Sequence, residues 1–315
     1  MTTFETSRTS VEIASQPETW ERAARSARSH TEVLPRRGER VAVVGCGTSW
    51  FMAHAYAQLR ESGGHGETDA FAASEFPGAR AYDRIVALTR SGTTTEVLDL
   101  LTKVKGSVAT TAITADPDTP VMTAADHVAV LDFADEESVV QTRFATTALV
   151  LLRAHLQAEG TLPAGVRPLA RAVQDARRAL DLPLSPEVSA AEQFTFLGTG
   201  WTYGLALEAG LKMREAAGAW TEAYPAMEYR HGPISITGPA RVTWLFGPAP
   251  QGLAEDVARV GGLFNSASTD ASDALDPLAD LIVAQRLAVL LAEARGYDPD
   301  RPRNLTRSVI LGHAT

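Results

Sequence analysis

Two hydroxyl-rich turns carry the first chemistry in this chain. Residues 45–49 read GCGTS and residues 88–96 read LTRSGTTTE. Each follows a short apolar run and precedes a helical pattern. Such a turn presents free backbone N–H groups at a helix start beside Ser and Thr hydroxyls, a combination suited to phosphate. Thr48 and Ser49 are the hydroxyls of the first turn; Thr89, Ser91 and Thr94 belong to the second. Gly92 lets the backbone approach a ligand closely, and Arg90 adds local positive charge. The same residues also have a plain structural reading, in which Ser91 or Thr93 N-caps a helix and Glu96 completes a capping box. Neither turn matches GxGxxG or GxxxxGK[ST], so no nucleotide fingerprint is present.

A second group lies in ALEAGLKMREAAG, which sets Glu208, Lys212 and Glu215 at i, i+4 and i+7, on one face of a helix. On a solvated surface such a pair contributes only about 0.3–0.5 kcal/mol. The small and apolar neighbours predict a buried helix, where charges face a site or a partner. His231 stands before Gly232 and Pro233 in EYRHGP, a loop whose local sequence does not distinguish catalysis from an ordinary surface histidine. Ser138, Gln141 and Thr142 precede a helical run and either line a pocket or cap the helix. Arg307 lies in PRNLTRSVIL, which reads by itself as a C-terminal strand or arm.

These residues must be positioned by a regular alternation of elements. Residues 16–30 read as a first helix, with Pro17 near its start. Buried strands (VAVV, IVAL, VATTAIT, HVAVLDF) then alternate with helices up to TTALVLLRAHLQAEG. This pattern predicts an α/β fold, a parallel sheet with helices on both faces. After a Pro-containing break the pattern restarts: FLGTGWT echoes VVGCGTS, and ARVTWLFGP echoes DRIVALTRS. The chain reads as a diverged internal duplication. Its divisions are expected at 1–38 (helical arm), 39–165, 166–300 and 301–315 (tail). The second copy has FGPAPQG where the first has TRSGTTTE, so only the first turn offers hydroxyls.

Composition narrows the function classes. The chain has 315 residues, a formal net charge of −9 and a sequence pI near 5.3. A phosphate backbone needs a basic face, so nucleic acid is not the expected partner. A small anion needs only local positive potential. The single cysteine, Cys46, excludes an intrachain disulfide and zinc sites built on paired Cys. No apolar run is long enough to span a bilayer, and no signal-peptide region opens the chain. A cytoplasmic protein without metal or cofactor is the expectation.

Taken together, GCGTS, SEF, LTRSGTTTE, ITADPDTP, ESVVQTRFATT, ALEAGLKMREAAG, EAYPAMEYRHGP and DPDRPRNLTRSV resemble the sugar isomerase (SIS) domain family in tandem form. They are similar, in number and order, to the isomerase half of glucosamine-6-phosphate synthase. The resemblance implies two flavodoxin-like SIS domains, each a five-stranded parallel sheet, a phosphosugar ligand and a homodimer with shared active sites. It implies that Ser49, Thr89, Arg90, Ser91 and Thr94 hold the 6-phosphate and nearby sugar hydroxyls, with Thr48 and Gly92 in the same turns. Val139 then lies against the sugar through its backbone. Glu215 is implied as the base at C1–C2, with Glu208 and Lys212 orienting it. His231 is implied as the ring-opening histidine of a neighbouring subunit. Two departures stand out. The chain begins MTTF, without a glutaminase half or an N-terminal Cys nucleophile, so glutamine-driven amination is not expected. The family's tail lysine, in NLxKSV, is Arg307 here; a guanidinium does not readily form a Schiff base but binds oxyanions.

The function these readings imply is removal of the C2 proton from a hexosamine 6-phosphate. The favoured fate is dehydration of N-acetylglucosamine 6-phosphate by loss of the C3 hydroxyl. Deamination of glucosamine 6-phosphate to fructose 6-phosphate and ammonia is the alternative, and a non-catalytic phosphosugar sensor is the second.

Overall fold

The computed structural model describes residues 7–160, 162–267 and 274–312. These separate into two compact units. The first runs from Glu18 to Leu169 and takes in the tail from Leu305 onward; the second runs from Ala170 to Asn304 and takes in the chain up to Pro17. The segment expected as one helical arm therefore contributes to both. It carries two helices, Arg8–Ala14 and Gln16–Ser26, followed by a 3-10 turn at Ala27–His30.

In the first unit five strands form a fully parallel sheet: β1 (Val41–Gly45), β2 (Thr68–Ala72), β3 (Arg84–Leu88), β4 (Ala109–Thr114) and β5 (His127–Val130). Their order is β2-β1-β3-β4-β5. β1 and β3 are buried at every position, as expected of parallel strands covered on both faces. Ala42, Val44, Ile85, Ala87, Leu101, Ala112 and Val121 pack into one buried cluster. Each large aliphatic side chain so buried contributes roughly 1.5–3 kcal/mol. The helices Thr48–Ser62 and Arg143–Ala158 are buried over most of their residues, which is why their sequences show little amphipathic alternation.

The second unit holds β6 (Gln193–Gly198), β7 (Trp220–Pro225), β8 (Arg241–Phe246) and β9 (Leu263–Ser266), all parallel, in the order β7-β6-β8-β9. Five strands were expected here; the described residues form four. The order otherwise repeats that of the first sheet. The Thr202–Ala217 helix ends at Gly218, whose φ of 58° is the left-handed turn glycine allows without strain. The C-terminal arm forms no strand among the described residues, and instead lies with the first unit without regular secondary structure.

Candidate active site

The strand order locates the first unit's site. In an open parallel sheet ligands bind beyond the carboxyl ends of the strands, where the order reverses. That point lies between β1 and β3, so the turns leaving them, residues 45–49 and 89–94, face the same crevice end. At the first turn, a Cβ on Gly45 would come within 2.7 Å of the Ser49 backbone. The absent side chain lets the helix start directly over the strand end. Thr48 and Ser49 are buried there. Burial, reinforced by the nearby Glu96 charge, pushes the Cys46 thiol up to about 11, so it is a thiol and not a nucleophilic thiolate at neutral pH.

At the second turn Thr89, Arg90 and Ser91 are buried. Gly92 has φ 63°, and a Cβ there would lie 2.1 Å from Thr119 Oγ1. Ser91 Oγ accepts from the backbone N–H of Thr93 at 3.3 Å and from Thr93 Oγ1 at 3.0 Å. The capping-box reading fails here. The N-cap of the Thr95–Val104 helix is Thr94, and its side chain makes no capping bond. Glu96 Oε2 is buried without a hydrogen-bond partner, as is the hydroxyl of Thr89. A buried hydroxyl without a partner costs about 1–3 kcal/mol, a cost that a ligand at this turn would relieve.

Arg90 does something the sequence did not suggest. Its Nη1 donates to the Ser138 carbonyl at 3.1 Å, and its Nη2 to the carbonyls of Val139 at 3.2 Å and Arg307 at 3.0 Å. Glu136 Oε2 lies 3.6 Å from Nη1. Arg307 answers from the tail, donating to the carbonyl of Glu136 and pairing with Asp135 Oδ1 at 2.5 Å. Ser308 Oγ bonds Thr93 Oγ1 at 2.9 Å, and the Val309 carbonyl accepts from the Thr95 N–H at 3.2 Å. Thr89, Arg90, Ser91, Gly92, Thr94, Val139 and Arg307 therefore meet in one place, although Arg307 is far from the others in sequence.

Glu136 escaped the sequence reading. Its Oε1 accepts from Thr142 N at 2.6 Å, Thr142 Oγ1 at 2.7 Å and Arg143 N at 2.7 Å. It thus caps the Arg143–Ala158 helix, and the positive helix end favours its charge. Thr142 occupies the N-cap position but makes no side-chain capping bond. Ser138 Oγ donates to the Val140 carbonyl at 2.9 Å, and Gln141 Oε1 is buried without a hydrogen-bond partner. The legible signal was a run of three acidic residues, Asp135, Glu136 and Glu137, just ahead of a helix start.

In the second unit the expected helix is present and buried. Lys212 Nζ lies 3.6 Å from Glu208 Oε1 and contacts Glu215 Oε2 still more closely. Glu208 and Lys212 are fully buried and Glu215 is partly exposed. Glu215 is the member of this trio that solvent or a ligand reaches. The corresponding turn, residues 246–252, offers no hydroxyls; Thr202 Oγ1 donates to the Phe246 carbonyl at 2.9 Å instead. His231 is exposed at the end of the Glu228–His231 turn that follows β7. Among the described residues no cluster of His, Cys, Asp and Glu could hold a metal, and no helix is long and apolar enough to cross a membrane.

Comparison with known proteins accords with this geometry. Residues 36–156 match the SIS domain family. Beyond that domain, the chain is 29% identical over 319 residues to a glutamine–fructose-6-phosphate aminotransferase (isomerizing) of Xylella fastidiosa, covering 86% of this chain and 52% of that protein. The chain thus spans about half the length of the curated relatives it matches. In structure it is similar to a glucosamine-6-phosphate deaminase of Thermotoga maritima (TM-score 0.79, 23% identity, 97% of this chain and 100% of that one). It is equally similar to the C-terminal domain of a glucosamine-fructose-6-phosphate aminotransferase of Francisella tularensis (TM-score 0.79, 23% identity, 96% and 100%). Both comparisons support the α/β fold with two parallel sheets. The SIS domain match takes in both hydroxyl turns and Glu136.

Proposed function

We propose that this chain is a phosphosugar enzyme that removes the C2 proton of a hexosamine 6-phosphate, and that its principal reaction is dehydration of N-acetylglucosamine 6-phosphate. In this reading Ser49, Thr89, Ser91 and Thr94 hold the 6-phosphate through hydroxyls and backbone N–H groups. His231, from a second copy of the chain, opens the ring. The free C1 aldehyde acidifies the C2–H bond, and Glu215 takes that proton as general base. The electron pair passes into the C1–C2 bond and onto the C1 oxygen. It then returns to form a C2–C3 double bond, and the C3–O bond breaks. The C3 oxygen departs as water, with a proton equivalent to that lost from C2.

The observation that carries the elimination is the state of position 307. The tail offers no amine there, and the guanidinium is engaged by Asp135 and the Glu136 carbonyl. A Schiff base to a keto sugar is therefore not expected at this position. An acetylated nitrogen also tautomerises to an imine less readily than a free amine, which disfavours the route to ammonia. The test is incubation with N-acetylglucosamine 6-phosphate, followed by absorbance and mass. A product lighter by one water supports the reading, and unchanged substrate rejects it.

Deamination of glucosamine 6-phosphate is the second reading, favoured by similarity to proteins named for that substrate and its synthesis. Ammonia and fructose 6-phosphate from glucosamine 6-phosphate would establish it. A protein that binds these sugar phosphates but turns over none of them is a sensor.

A further inference from the structure

We propose that Arg90 is a positioning residue that clasps the C-terminal tail onto the hydroxyl turn, rather than a ligand of the phosphate. A guanidinium grips phosphate through two parallel N–H groups, and it has five in all. Both N–H groups of Arg90 Nη2 are taken, by the carbonyls of Val139 and Arg307. One on Nη1 goes to Ser138, and Glu136 Oε2 faces the same nitrogen. Nε–H is buried without a partner, and the remaining N–H of Nη1 meets Glu136 Oε2 as an ion pair at 3.6 Å rather than as a hydrogen bond. No edge of the guanidinium keeps the pair of free hydrogens that a phosphate fork requires.

The groups that occupy Arg90 are all main-chain carbonyls of two segments, 138–139 and the tail, with one carboxylate between them. Arg307 reverses the arrangement: its own carbonyl receives Arg90, and its side chain reaches back to Asp135 and Glu136. The two arginines thus interlock through the 135–139 segment. Once the tail is held, Ser308 and Val309 are brought to Thr93 and Thr95, and Leu311 N–H bonds Thr95 Oγ1 at 2.9 Å. Arg90 thus acts on the ligand turn through the tail. This rests on the phosphosugar reading only for the identity of the ligand; the clasp itself is made by the chain's own residues.

The test is amide hydrogen exchange across residues 305–311 of the full chain, in the wild type, Arg90→Gln and Asp135→Asn. Asp135 is partly exposed, so its replacement removes the Arg307 latch without disturbing the core. Both variants are expected to speed exchange of the tail at least ten-fold, with amides of β1 and β3 unchanged. Binding of fructose 6-phosphate, measured by calorimetry, should weaken by similar factors in both. Tail protection at the wild-type level in Arg90→Gln would overturn the proposal. So would a loss of fructose 6-phosphate binding confined to Arg90→Gln, since that is the signature of a direct phosphate ligand. Exchange does not depend on turnover, so a chain inactive toward every hexosamine phosphate would sink the proposed function and leave this result intact.

Discussion

Replacing Glu136 with Ala removes two interactions at once, and their sizes differ enough to separate. The first is the cap on the Arg143–Ala158 helix, where one oxygen accepts three donors between 2.6 and 2.7 Å. Losing a cap costs about 1 kcal/mol. The second is the counter-charge to Arg90, 3.6 Å away, in a pair whose side chains are 2% and 0% exposed. Stranding a buried charge costs roughly 3–5 kcal/mol, and burial this complete leaves little screening to reduce it. Glu136→Ala should therefore lower the stability of the first unit by about 4–6 kcal/mol in all. With a urea dependence of about 2 kcal/mol per molar, the midpoint falls by roughly 2–3 M. Glu136→Gln keeps a capping oxygen but drops the charge, so its midpoint should lie about 0.5 M above that of the Ala variant. The assay is urea unfolding of the full chain, with hydrogen exchange at Thr142 and Arg143 to place the loss. A midpoint change below about 0.5 M for Glu136→Ala is the size of a cap alone, and would refute the claim that Glu136 balances Arg90.

Other perturbations follow from single observations. Gly92→Ala forces a Cβ into Thr119 and Val121 at a positive φ; a loss of about 1–3 kcal/mol in thermal unfolding is expected, together with weaker sugar-phosphate binding. Glu215→Gln should bind hexosamine phosphate with near wild-type affinity by calorimetry, while turnover falls about 10²–10⁴-fold. Asp280 is buried beneath Trp244, which donates to it at 3.1 Å, and burial pushes its carboxyl from 3.8 up to about 7. Between those values the unfolded chain releases the proton and the folded chain keeps it, so this residue lowers stability as pH rises from about 4 to 7. Asp280→Asn should therefore gain on the wild type across that window, read as the difference in urea midpoint at pH 4 and pH 8.

The main lines of the fold were legible because parallel strands buried on both faces leave continuous apolar runs, and VAVV and IVAL became β1 and β3 at all their positions. The Glu208–Lys212–Glu215 set was legible for a related reason: helical periodicity fixes which residues share a face, and small neighbours announced the burial. The second sheet was less so. LFNS is a short, half-buried strand with a mixed pattern, and nothing in it separates strand from loop.

What the sequence by itself determined is the inventory: two hydroxyl turns, one buried charged helix, a duplication that kept the TRSGTTTE-type turn in only one copy, and an arginine in the tail. The tertiary structure decided how Arg90 is used. Local sequence set it in a phosphate-type turn, where a free guanidinium would be a ligand. Chain reversal over more than two hundred residues delivered the Arg307 carbonyl to it at 3.0 Å, and Glu136 came to the same point from a different loop. Hydrogen bonding depends on what is within about 3 Å in space, and neither spacing nor periodicity reports contacts between segments so far apart along the chain.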